Sequence, residues 1–144
     1  MPARFYEQEV KSKLKDKRAL SAYLDSLANK YIKGLEKAQF TYIFCSDSYL
    51  LNINREFLNH DTLTDIVTFD MTDAPNMLTG EIYISIERVA ENAEKFGVTY
   101  INELHRVIFH GALHLCGFKD KKKEDKELMR KKEDESLAAY FKNK

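Results

Sequence analysis

Apolar residues in the first quarter of the chain recur at helical spacing. Leu20, Tyr23, Leu24, Leu27, Tyr31 and Leu35 fall on one face of residues 17–36 and predict a long amphipathic helix there. Residues 4–8 ahead of it read as a short strand. Phe40 to Cys45, aromatic and β-branched, predicts a second strand. Ser46 and Asp47 can cap a helix over Tyr49 to Leu58, and Asn59-His60-Asp61 then reads as a loop. Ile66 to Phe69 and Glu81 to Ile84 have strand composition, with a breaker, Asp73-Ala74-Pro75-Asn76, between them. Ser85 to Phe96 predicts a helix ended by Gly97, and Tyr100 to Leu115 another ended by Gly117. Residues 122–141 form a charged terminal helix. The order β-α-β-α-β-β-α-α-α predicts an α+β fold: a small mixed four-stranded sheet with about five helices, in a single domain.

Composition agrees with that frame. A chain of 144 residues with 44% apolar content can bury one core and is too short for two. The first residues lack an apolar signal-peptide core, and no stretch is apolar for long enough to span a bilayer, so no membrane association is expected. Two cysteines, Cys45 and Cys116, make no disulfide framework and suit a reducing, cytoplasmic location. The zero net charge conceals segregation. Residues 43–110 hold four Lys or Arg against eleven Asp or Glu, whereas residues 119–132 hold eight against four. The run Lys121-Lys122-Lys123 reads either as a solvated helix face or as a surface for a phosphate backbone.

The chemistry concentrates at His110-Gly-Ala-Leu-His114. On a helix, four residues leave the two imidazoles about 40° apart and one turn along, so both can face one ion. If the helix stops at Gly117 the chain can turn back, and Asp120 is the nearest donor able to complete a three-ligand metal site. Two nitrogens and one oxygen leave a position open for water, the pattern of a catalytic site for Zn2+ or another divalent transition metal. The alternative is that both histidines are polar positions on an amphipathic helix. Cys116 is read as a buried thiol. Gly111 stands where the metalloprotease pattern H-E-x-x-H has its general base, which disfavours peptide hydrolysis and favours phosphodiester cleavage.

Three stretches carry a resemblance: Asn54 to Phe69, reading NREFLNHDTLTDIVTF; Gly80 to Ser85, reading GEIYIS; and Glu103-Leu104 leading into HGALHLCGF at His110 to Phe118. Together they resemble the YbeY family of metal-dependent endoribonucleases, the ribosomal RNA maturation factors. The family pattern H-x3-H-x5-H places three histidines on one zinc, and this chain has Asp120 at the third position. It has Leu58 where the family has an arginine, so Arg55, His60 or Arg88 is expected to supply positive charge for the substrate. Asp61, Thr64 and Asp65 match the segment that would line the metal cleft, with Asp61 and Asp65 as catalytic candidates. Glu103 is expected to orient a ligand, and His105, on another face of the helix, to be structural.

The resemblance implies a single-strand-specific endoribonuclease of ribosomal RNA processing, acting in small-subunit 3′-end maturation with one Zn2+. Its partners would be ribosomal RNA and the small ribosomal subunit, with no nucleotide cofactor. A ribosome-associated RNA-binding module with a structural or vestigial metal, or a metallohydrolase of another substrate, are the competing expectations.

Overall fold

The computed structural model describes residues 1–59 and 64–142. Among them lie strands β1 (Ala3–Glu7), β2 (Lys37–Cys45), β3 (Ile66–Asp70) and β4 (Met77–Ser85). The helices are α1 (Lys17–Tyr31), α2 (Asp47–Leu58), α3 (Ile86–Phe96), α4 (Tyr100–Leu115) and α5 (Lys123–Lys142). The element order is the expected one, and the strands form one mixed sheet in the order β1-β2-β4-β3. The first three run parallel, and β3 pairs antiparallel with β4 at the edge.

Both interior strands are longer than their apolar runs suggest. Lys37 pairs with Met77 and Ala38 with Leu78, so pairing begins three residues before Phe40. Polar Lys37, Gln39 and Thr79 alternate with buried Ala38, Phe40 and Leu78, the period of two that a strand requires. The same pairing explains why α1 ends at Tyr31 rather than at residue 36. The chain turns through Gly34 at φ 76°, which a residue with no Cβ adopts freely, and Glu36 N–H then donates to the Asn76 carbonyl at 2.7 Å.

Phe40, Tyr42, Phe44, Leu78, Ile82 and Ile84 line the principal face of the sheet, and α1 and α4 contribute to the core over it. A smaller cluster on the other face joins Leu50 of α2 to Cys45 and Val67. Helix α4 lies close to the principal face. A Cβ on Gly111 would stand 2.9 Å from Ile82 Cγ2, and one on Gly80 would overlap Leu115 Cδ1. The buried Tyr42 hydroxyl donates to the Ile108 carbonyl at 2.8 Å and pins the helix over β2. Helix α5 then packs on the outside of α4, where Phe109, Tyr140 and His105 share an aromatic cluster.

Candidate functional site

Gly111 lets α4 approach β4 and β3, and this places the neighbouring His110 beside the start of β3, where Asp65 lies. The helix then stops abruptly. Gly117, at φ 107°, donates its N–H to the His114 carbonyl at 3.0 Å, and Phe118 donates to the Leu113 carbonyl at 3.1 Å. This pair of bonds satisfies the last carbonyls and reverses the chain. Phe118 packs edge-on against Tyr31, anchoring the reversal. Asp120 is thereby carried back to His110, with its Oδ2 3.2 Å from His110 Nε2.

The other ring nitrogen is held as well. His110 Nδ1 donates to Glu133 Oε2 at 2.7 Å, and Glu133 Oε1 accepts from Arg106 Nη1 at 3.1 Å. Arg106 also donates to Asp134 at 2.7 Å. Burial works against a charge on His110, but the hydrogen bond to Glu133 and the charges of Glu133, Asp120 and Asp65 outweigh it and raise its pKa above the ordinary value. The expected orienting role of Glu103 thus falls to Glu133. Glu103 lies buried in the cleft wall, its carboxyl pushed up chiefly by burial.

These groups border a cleft of about 640 Å³. His110, His114, Asp120, Asp65 and Thr64 all line it, so the structure brings together most of the side chains expected at the site. Leu58 lines it too. Two of the residues expected to meet substrate do not. Arg88 is turned to Asp47 at 2.9 Å and Glu91 at 3.2 Å, and the same Asp47 accepts from Ser85 at 2.6 Å, so Arg88 ties α3 to α2. Arg55 is exposed on the last turn of α2, outside the cleft lining. His60 and Asp61 lie outside the described residues. The guanidinium groups that do line the cleft are Arg106 and Arg130, which the sequence reading missed. For Glu133 a signal existed: it interrupts the buried stripe Met129, Leu137 and Tyr140 of α5, where a lone carboxylate needs a partner.

Burial raises the pKa of Asp65, outweighing the opposing charge of His110. The folded chain therefore holds this proton more tightly than the unfolded one. That contribution to stability is full below the unfolded pKa and is lost as pH rises through the folded one. At neutral pH the ionised carboxylate opposes folding. Asp65→Asn is expected to stabilise the protein near pH 7, with the difference closing as the pH falls below the ordinary carboxylate value, and to lower turnover by about 10² or more. Urea melts across pH, beside a turnover assay, check both.

The donors suit a divalent cation. Glu133 fixes the His110 tautomer, so Nε2 is the nitrogen presented toward Asp120. Nε2 and Asp120 Oδ2 pair directly at 3.2 Å, near enough for both to reach one ion. His114, one turn on, lines the same cleft. As they stand, no three His, Cys, Asp or Glu side chains among the described residues are gathered tightly enough to hold an ion. His114 and Asp120 are both more open to solvent than His110.

Known proteins resemble this chain over nearly its whole length. The family model described as Endoribonuclease YbeY matches residues 5–141. A Flavobacterium johnsoniae protein named Endoribonuclease YbeY is 45% identical over 135 residues, covering 94% of this chain and 95% of the relative. The Cytophaga hutchinsonii protein of the same name is 44% identical over 93% of this chain and 92% of its own. A solution structure of a Thermotoga maritima protein aligns with TM-score 0.63 and 25% identity, covering 98% of this chain and 90% of that one. With a family match over nearly its whole length and relatives well above 40% identity, the chain belongs to the YbeY endoribonuclease family.

Proposed function

We propose that the chain is a single-strand-specific endoribonuclease of ribosomal RNA processing, acting at the small-subunit 3′ end with a divalent ion, zinc in the first instance. His110, His114 and Asp120 would hold the ion. The observation that carries this reading is His110, gripped by Glu133 on one nitrogen and facing Asp120 with the other on the wall of an open cleft.

When bound, the ion supplies Lewis-acid polarisation of a phosphoryl oxygen and a more acidic water. The remaining work falls to the chain. Arg106 holds Glu133, Glu133 holds the His110 ring, and this relay keeps Nε2 aimed without cost at the moment of reaction. The Asp65 carboxyl, made more basic than an ordinary carboxylate by burial, is suited to take the proton of the attacking water as one P–O bond forms and another breaks. Four cleft carboxylates, Asp65, Glu103, Asp120 and Glu133, give the site an affinity for a cation before RNA arrives.

Cleavage of ribosomal RNA by metal-loaded protein, compared with His114→Ala, tests the reading. The variant is expected to lose at least about 10²-fold in rate and to hold less metal by elemental analysis. Metal uptake should release protons and weaken as pH falls through the raised pKa of His110. Equal cleavage by both proteins would mean that the activity belongs to a contaminant. Binding to small-subunit particles without cleavage would instead favour an RNA-binding module.

A further inference from the structure

We infer that the α3 wall of the cleft is a nucleobase subsite, in which Phe96 stacks on one unpaired base of the RNA and Asn92 hydrogen-bonds that base's edge. The inference deepens the endoribonuclease reading and rests on it.

Phe96 ends α3 with 53% of its surface exposed, and it lines the cleft. Packing does not account for it, since the buried positions of α3 are Val89 and Ala93. Asn92, one helical turn earlier and so on the same face, lines the cleft beside it. The backbone beneath Phe96 is firmly set. Gly97 N–H reaches the Glu94 carbonyl at 3.3 Å and Val98 N–H the Ala93 carbonyl at 3.0 Å, closing the helix immediately after the ring.

An exposed aromatic ring and an amide share this wall, and the cleft they border is mixed, with apolar Leu58, Ile66 and Val107 beside charged groups. A wholly apolar ligand would strip water from Asp65, Asp120 and His110 without replacing it. A nucleotide matches each part. Its base offers a flat face to Phe96 and a donor–acceptor edge to Asn92, whose amide supplies both roles. Its phosphate needs a cation. Arg106 is committed to Glu133 and Asp134, and the exposed Arg130 of α5 lines the same cleft. The cleft volume lies within the range of sites that enclose a molecule of this size. A base can lie flat on Phe96 only if it has left its own stack, so this wall selects single strands and the reaction centre need not.

The chain contains no tryptophan, so Phe96→Trp installs a sole reporter. Wild type, Phe96→Trp, Phe96→Ala and Asn92→Ala are titrated with a short labelled single-stranded oligoribonucleotide and with its duplex. The single strand should quench the tryptophan and the duplex should not. Phe96→Ala should weaken single-strand binding about 5- to 150-fold, with Phe96→Trp near wild type and duplex binding unchanged. Asn92→Ala should flatten the preference among oligonucleotides of different base. Unaltered binding by Phe96→Ala with an unquenched tryptophan, in a protein whose cleavage still depends on His114, overturns the subsite and leaves the endoribonuclease reading standing. Failure of the wild type to bind or cut single strands overturns both.

Discussion

A His110→Ala variant is expected to lose RNA cleavage by well over about 10²-fold, more than any other single change to the cleft. The magnitude follows from its place in the hydrogen-bond array. Removing an outer partner of a ligating histidine costs about 10- to 100-fold, and His110 is the group on which Glu133 and Asp120 converge. The variant should also unfold more easily, because Glu133 is buried and would lose its partner at Oε2 while Arg106 still holds Oε1. An unsatisfied buried acceptor costs about 1–3 kcal/mol. Pairing the change with Glu133→Gln should return part of the stability and none of the cleavage. Thermal melts and single-turnover rates on the two proteins separate these effects. Wild-type turnover by His110→Ala would remove this residue from the mechanism.

The largest expected loss of stability lies one residue further on. Gly111→Glu restores the H-E-x-x-H pattern, yet it should produce an unfolded protein rather than a peptidase. The position faces the sheet, with Ile82 Cγ2 2.9 Å and Ile66 Cδ1 3.1 Å from where a Cβ would sit. A longer side chain must displace both isoleucines and bury an unpaired carboxylate among them. Overpacking and charge burial together should exceed about 4 kcal/mol, lowering the melting temperature by more than about 12 °C. Gly111→Ala, whose single methyl crowds Ile82 Cγ2 but gains helix propensity, should lose about 1–3 kcal/mol and stay folded. A folded, soluble Gly111→Glu protein would contradict the close approach of α4 to β4.

Glycine at this position was legible in the sequence as the absence of a general base, but its cause was not. That cause lies in β4 and β3, some thirty to forty-five residues earlier in the chain. Signals carried by near neighbours read correctly. The bounds of α4 follow from its apolar spacing and from Gly117, and the return of Asp120 follows from the helix stop. Signals that depend on distant partners did not. Arg88 looks available for substrate until Asp47, on another helix, takes its guanidinium. Glu133 sits among so many charges in α5 that its break in the apolar stripe is easily overlooked, and its partner is twenty-three residues away. Strand lengths were underestimated for a related reason, because hydrogen bonding to neighbours carries β2 and β4 beyond their apolar runs.

The cleft draws on residues from Asn54 to Glu133, and the brace for His110 arrives only with α5. During synthesis, His110 leaves the ribosome before the carboxylate that aims it. A chain interrupted ahead of Glu133 has His110 without its support, and Arg106 without its buried partner. The order of the chain thus separates making the imidazole from aiming it: His110 precedes by twenty-three residues the carboxylate that orients its ring.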